Sequence, residues 1–225
     1  MKRFFLCSAL PVLTIFLAVP WVGSAFTSNE SSTVSSATRD LKIAVHSKSI
    51  TPQELQQAHG IAIIPFYWKA ALVGDRRHGV GVLMVKTTNH RWSNPTFISA
   101  SGGSLGAHVG FVAGDMIMLF KNEQDVDKIL NGRFRLGVSA TAAAGHGAKS
   151  QTNASPSNVS TYVDTPGGFI GVSARGVEIS AEQNSNTIFY GNEDATAKTI
   201  AKGQVMAPQP AKDLRTTADN LTTAG

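Results

Sequence analysis

Residues Gly102-Gly103-Ser104-Leu105-Gly106 match G-x-S-x-G, the pattern in which a serine at a sharp strand-to-helix turn attacks an acyl carbon. That chemistry needs a helix directly after the serine. Here "GAHVGFVAGDMIMLF" follows, with Gly106, Gly110 and Gly114 at fourfold spacing, and each interior glycine costs a helix about 1 kcal/mol relative to alanine. The alternating strand–helix units of a hydrolase are also missing. A serine hydrolase using Ser104 therefore stands as the weakest of three readings, and an unlabelled Ser104 after fluorophosphonate treatment excludes it.

Other chemistry finds little support. His46, His59, His78, His90, His108 and His146 show no i, i+4 pair and lie beside no acidic cluster, so no metal ligands are expected. Acids gather at helix starts such as Glu123, Asp125 and Asp127, where capping and the helix dipole account for them. "GDRRHGVG" lacks the Gly-Lys-Ser/Thr ending of a phosphate loop. Cys7 is the single cysteine and sits in the N-terminal apolar stretch, which leaves the rest of the chain without thiol or disulfide chemistry. No catalytic residue and no cofactor is expected.

Cations are the remaining signal. Arg39, Lys42 and Lys48 share one short amphipathic segment, "RDLKIAVHSKSI", with Leu41, Ala44 and Val45 at i, i+3, i+4 spacing. Lys69, Arg76 and Arg77 lie near one turn. An ordinary solvated surface accounts for both groups. So does contact with an anionic phospholipid membrane, in which each cation is worth about 1 kcal/mol. Three cations and one acid over residues 39–48 then supply roughly 2 kcal/mol, so insertion of Leu41, Ile43 or Val45, or several copies of the domain, would have to add the rest.

The elements that position these residues follow from pattern. "MKRFFLCSALPVLTIFLAVPWVGSAF" has Lys2 and Arg3, an apolar run and small residues at Gly23 and Ala25, the layout of a signal peptide over residues 1–25. Without it the chain keeps 18 basic and 15 acidic residues, a net +3 that does not suit nucleic acid. An exported protein is expected, periplasmic, outer-membrane-associated or secreted. Residues 26–38 read as a flexible serine-rich linker, 39–204 as one domain and 205–225 as a disordered tail. "TPQEL" predicts a helix start with Thr51 as cap, and "NEQDVDKILNG" a helix capped by Asn122. "GIAIIPF", "GVGVLMVKT", "PTFISAS", "DMIMLF", "RFRLGVSATAA", "GFIGVSARGVEIS" and "NTIFYG" read as strands, and "NEDATAKTIAKG" as a weak helix. Glycines within or beside those strands suit a sheet that bends on itself, so the expected class is α+β: a curved, barrel-like antiparallel sheet with a few short helices.

Several stretches carry a resemblance: "AHGIAIIPFYWKAALVG", "GVGVLMVKTTNHRWSNPTFISASGGSLGAHVGFVAGDMIMLF", "GRFRLGVSATAAAG" and "GGFIGVSARGVEI". In this order they resemble the SYLF domain, with Trp92–Pro95 ("WSNP") and the glycine-rich run after it the most specific part. The resemblance implies a non-enzymatic domain that binds anionic lipids, with actin association in some fungal members. It also implies a membrane-contacting N-terminal amphipathic helix, which points to Arg39, Lys42 and Lys48, and makes "GGSLG" a bend between strands with Ser104 structural. The loop "STYVDTPGG" departs from the family pattern, since Asp164 and Pro166 stand where cations or polar residues are usual. A structural, self-associating envelope protein is the alternative reading.

Overall fold

The computed structural model describes residues 29–70, 76–105, 114–137, 158–165 and 168–224. Eight strands form one antiparallel sheet: β1 (Gly60–Ala70), β2 (Arg76–Val85), β3 (Thr96–Leu105), β4 (Gly114–Phe120), β5 (Arg133–Arg135), β6 (Val159–Thr165), β7 (Gly168–Val172) and β8 (Ala174–Ala181), in the order β5-β8-β3-β2-β1-β4-β6-β7. The sheet curls into a half-barrel, as the α+β expectation required. The described residues also form six helices: α1 (Asn29–His46), α2 (Pro52–Gln57), α3 (Glu123–Leu130), α4 (Gln183–Tyr190), α5 (Ala197–Ala201) and α6 (Gln209–Thr223).

Over residues 60–65 β1 is apolar without alternation because both of its faces are covered there. Ile61 and Ile63 face a core shared with Val82, Met84, Phe97, Ile117 and Leu119, closed by Leu41 of α1, Leu55 of α2, Phe189 of α4 and Leu214 of α6. Ala62 and Ile64 face the opposite core, where Val126 and Ile129 of α3 meet Met118, Phe120 and Phe134. Between Ile63 and Trp68 the register against β2 slips by one residue, and the slip contains Pro65, which has no N–H to give a ladder. Opposite it, β2 comes so close that a Cβ on Gly81 would lie 2.2 Å from the Ile63 carbonyl oxygen. This bulge helps the sheet curl.

Four expectations need correction. The stretch read as a linker is helical from Asn29: Thr33, Ser35 and Thr38 return their hydroxyls to carbonyls one turn back, and Val34 and Ala37 are buried. The tail read as disordered contains α6, which buries Ala211, Leu214, Ala218 and Thr222 on one face. "NTIFYG" is helical within α4, ending at Gly191 in the left-handed conformation (φ 61°). In "GGSLG" the chain does not turn at Ser104: Gly102–Leu105 continue β3, with Gly102 at φ 70°, and Gly106 lies outside the described residues. β6 was not expected as a strand at all.

Candidate lipid-facing site

α1 presents its three cations in different ways. Arg39 donates from Nε and Nη2 to Oδ1 of Asp40 at 3.0 and 2.9 Å, and its Nη2 lies 3.5 Å from Oδ2 of Asp115 on β4. Its guanidinium is therefore already engaged by acids of its own chain. Lys42 and Lys48 are exposed. Lys48 sits in the turn that closes α1, at φ 59°, with its N–H donating to the Val45 carbonyl and Ser47 N–H to that of Ile43.

The apolar side of α1 corrects the insertion expectation. Leu41 and Ala44 are fully buried, and Val45 packs on the same core. Only Ile43, 43 % exposed, faces outward beside Lys42. In this arrangement Leu41 and Val45 cannot enter a membrane.

Asp40 was missed. It is 1 % exposed, yet only Oδ1 is hydrogen-bonded, and Oδ2 finds no donor. Burial, then the charge of Asp115, push its carboxyl up to about 7 against the pull of Arg39. The sequence held one clue: Asp40 follows Ala37 by three and precedes Ala44 by four, on the inward stripe.

The register brings both cationic groups to one end of the sheet. Tyr67 of β1 pairs with Gly114 of β4, and Trp68 with His78 of β2, so Lys69, Arg76 and Arg77 lie just beyond that row in the β1–β2 hairpin. Thr165 and Gly168 close the β6–β7 hairpin at the same end. A Cβ on Gly168 would lie 3.1 Å from the Ser47 Cβ, so this hairpin packs on the turn carrying Lys48. Strands about 4.8 Å apart then separate the β1–β2 hairpin from β7 by about 14 Å.

The divergent loop adjoins this end as well. Tyr162 donates to Oε1 of Glu54 at 2.6 Å, tying β6 to the start of α2. Burial and that bond push the Tyr162 hydroxyl up to about 12. Burial alone would raise Glu54, but the hydrogen bonds from Tyr162 and from the N–H and hydroxyl of Thr51 outweigh it, and its carboxyl ends below the usual range.

Enzymatic alternatives gain nothing from the geometry. Ser104 lies in β3, opposite Arg175 of β8, and the residues that would form a helix after it, 106–113, lie outside the described residues. Among the described residues no three His, Cys, Asp or Glu side chains could hold a metal ion, and no described helix is long and apolar enough to cross a membrane.

Known proteins place the chain. The model of the family described as "Ysc84: Las17-binding protein actin regulator" matches residues 101–221, from the end of β3 through α6. The chain belongs to the Ysc84 family. This is the SYLF relationship expected from the motifs. Protein YSC84 of Saccharomyces cerevisiae is 33 % identical over 171 residues, covering 73 % of the chain and 36 % of the relative. LAS seventeen-binding protein 3 of the same species is 33 % identical over 172 residues, 73 % of the chain and 37 % of the relative. SH3 domain-containing YSC84-like protein 1 of Xenopus laevis is 28 % identical over 180 residues, 78 % of the chain and 53 % of the relative. The chain thus spans between about a third and about half of these relatives, whose names describe binding and domain content, not a reaction.

In this Ysc84-family chain the "WSNP" segment is a structural anchor for α6. Trp92 Nε1 donates to Thr222 Oγ1 at 2.8 Å, and its backbone N–H donates to Asp219 Oδ1 at 2.9 Å. Arg91 pairs with Asp219 at 2.8 Å, and Arg215 donates to Asn94 Oδ1 at 2.9 Å. Lys86 lies 4.7 Å over the Trp92 ring and donates to the carbonyls of Leu55 and Gln56, ending α2.

Proposed function

We propose that this protein is a non-enzymatic binding module that recognises anionic phospholipid surfaces through the cationic end of its sheet. The observation that carries this reading is the register: it gathers Lys42 and Lys48 of α1 and the β1–β2 hairpin bearing Lys69, Arg76 and Arg77 at one end. Arg39 contributes less than expected, because Asp40 and Asp115 already neutralise it. With Leu41 and Val45 covered, binding in this arrangement is mainly electrostatic and should weaken with salt.

The test is co-sedimentation of the purified protein with phosphatidylglycerol vesicles, against phosphatidylcholine alone. Pelleting with the anionic vesicles only, reduced at high salt, is the expected result. Pelleting with neither overturns the lipid reading.

A protein partner is the second reading, favoured by the family description as Las17-binding. Complete vesicle indifference combined with binding to a Las17-type partner would establish it. Export belongs to the proposal on residues 1–25 alone, and the mass of the protein recovered from an envelope fraction checks it: loss of 25 residues is expected.

A further inference from the structure

The elements holding α1 include one that can titrate. Asp40 is inside the protein with one carboxylate oxygen lacking a donor, and Asp115 faces it from β4. With both acids ionised, this buried corner would hold two negative charges against the single charge of Arg39. With one proton shared between them, it is neutral. We propose that the Asp40–Asp115 pair is a proton-dependent clasp, and that losing its proton loosens α1 and uncovers Val34, Ala37, Leu41 and Ala44 for an anionic lipid surface. The lipid half of this inference rests on the reading above; the clasp itself does not.

Among the described residues the charged surroundings of Asp40 are few. Arg39 comes from its own helix and Asp115 from β4, while Asp164 of β6 acts on Arg39. β7, packed on α1, has no titratable residue. α4 brings Tyr190, whose hydroxyl donates to the Pro95 carbonyl. On α6, Arg215 and Asp219 are engaged with Asn94, Arg91 and Trp92, Asp213 accepts from Gln209, and Lys212 is exposed. Among described side chains of β1 and β2, His78 is exposed. None of these acts on Asp40 as Asp115 does.

The direction of the effect follows from linkage. Docked, Asp40 holds its proton up to about pH 7; released, it returns towards its ordinary value of 3.8. The stabilisation is complete below 3.8 and is lost as pH rises towards 7, so opening of α1 becomes more frequent through that window and levels off above it.

Hydrogen exchange of the purified protein without lipid tests the clasp at pH 5, 6, 7 and 8, with rates corrected for intrinsic exchange. Amides of residues 34–46 should exchange about tenfold faster or more at pH 7 than at pH 5, with no further rise at pH 8 and no change in α6. Asp40→Asn should abolish this dependence. Asp115→Asn, which removes the repulsion but leaves Asp40 in place, should shrink it and slow exchange at pH 7. Equal protection at pH 5 and 7, or a wild-type response in both variants, overturns the clasp. Vesicle sedimentation at pH 5.5 and 7.5 separates the two ideas. Exchange that responds to pH without vesicle binding keeps the clasp and removes the lipid; vesicle binding with pH-insensitive exchange does the reverse.

Discussion

α1 and α6 lie against each other on the same face of the sheet, and both fill one core, yet they are fastened differently. α6 is held by bonds with both partners satisfied: Trp92 to Thr222 and Asp219, Arg91 to Asp219, Arg215 to Asn94. α1 has the apolar stripe of Val34, Ala37, Leu41 and Ala44, but its polar fastening is a buried carboxylate with one oxygen unbonded. A satisfied polar network fixes an element, whereas a half-satisfied one leaves it near the threshold for release. The comparison therefore assigns rigidity to the C-terminal helix and conditional docking to the N-terminal one.

The largest break in this comparison is on the α6 side. Trp92→Ala removes a ring that is 2 % exposed, together with its bond to Thr222. Global destabilisation of about 3–5 kcal/mol is expected in urea titration, with the same loss at every pH at which the fold persists. Thr222→Val keeps the packing but leaves the indole N–H without its acceptor, and should cost about 1–2 kcal/mol. If either variant loosened α1 alone, the assignment of rigidity to α6 would be wrong.

The next break is smaller and opposite in sign. Asp40→Asn should stabilise the protein at pH 7.5 by about 1–3 kcal/mol, below the ceiling of roughly 4 kcal/mol that a full shift from 3.8 to about 7 would set. The gain should shrink as pH falls below 7 and vanish only well below 3.8, where the native carboxyl is protonated whether α1 is docked or free. Thermal melts of both proteins across that range check it. A variant less stable at pH 7.5 would mean that Arg39 needs the ionised partner and that no clasp exists.

The two helices also differ in how far their sequences disclosed them. α2 was legible because Thr51 and Glu54 form a capping box within one turn, and the structure shows both of its bonds. α3 was legible from Asn122 and from Val126 and Ile129. α6 was not, because its fully buried face is Ala211, Leu214, Ala218 and Thr222, with Leu221 only partly buried beside it, too weak an apolar period to stand out among threonines. The first half of α1 was hidden for the same reason: serine and threonine there bond to their own helix instead of marking a linker. In α4, the β-branched and aromatic run Thr187–Tyr190 suggested strand; what decides is buried Asn186, which bonds Phe97 N–H and Thr96 across the core. The cations of the site were legible as residue types, but the neutralisation of Arg39 was not, since Asp115 lies 76 residues away in the chain.

The smallest effect concerns the surface that α1 shows while docked. Lys42 and Lys48 are exposed and bond to no acid among the described residues. Lys42→Gln with Lys48→Gln should therefore leave the urea midpoint unchanged. At about 1 kcal/mol for each cation near an anionic leaflet, the double variant should bind phosphatidylglycerol vesicles about tenfold to thirtyfold more weakly. Arg39→Gln should weaken it much less than either lysine change, because its charge is already taken up by Asp40 and Asp115; without the pull of Arg39 the Asp40 carboxyl shifts further up and keeps its proton at neutral pH, and the cost in stability is that of the lost ion pair. Equal losses of vesicle binding from Arg39 and from the lysines, with stability untouched, would show that Arg39 faces the lipid and that the docked α1 is not held as its buried carboxylate requires.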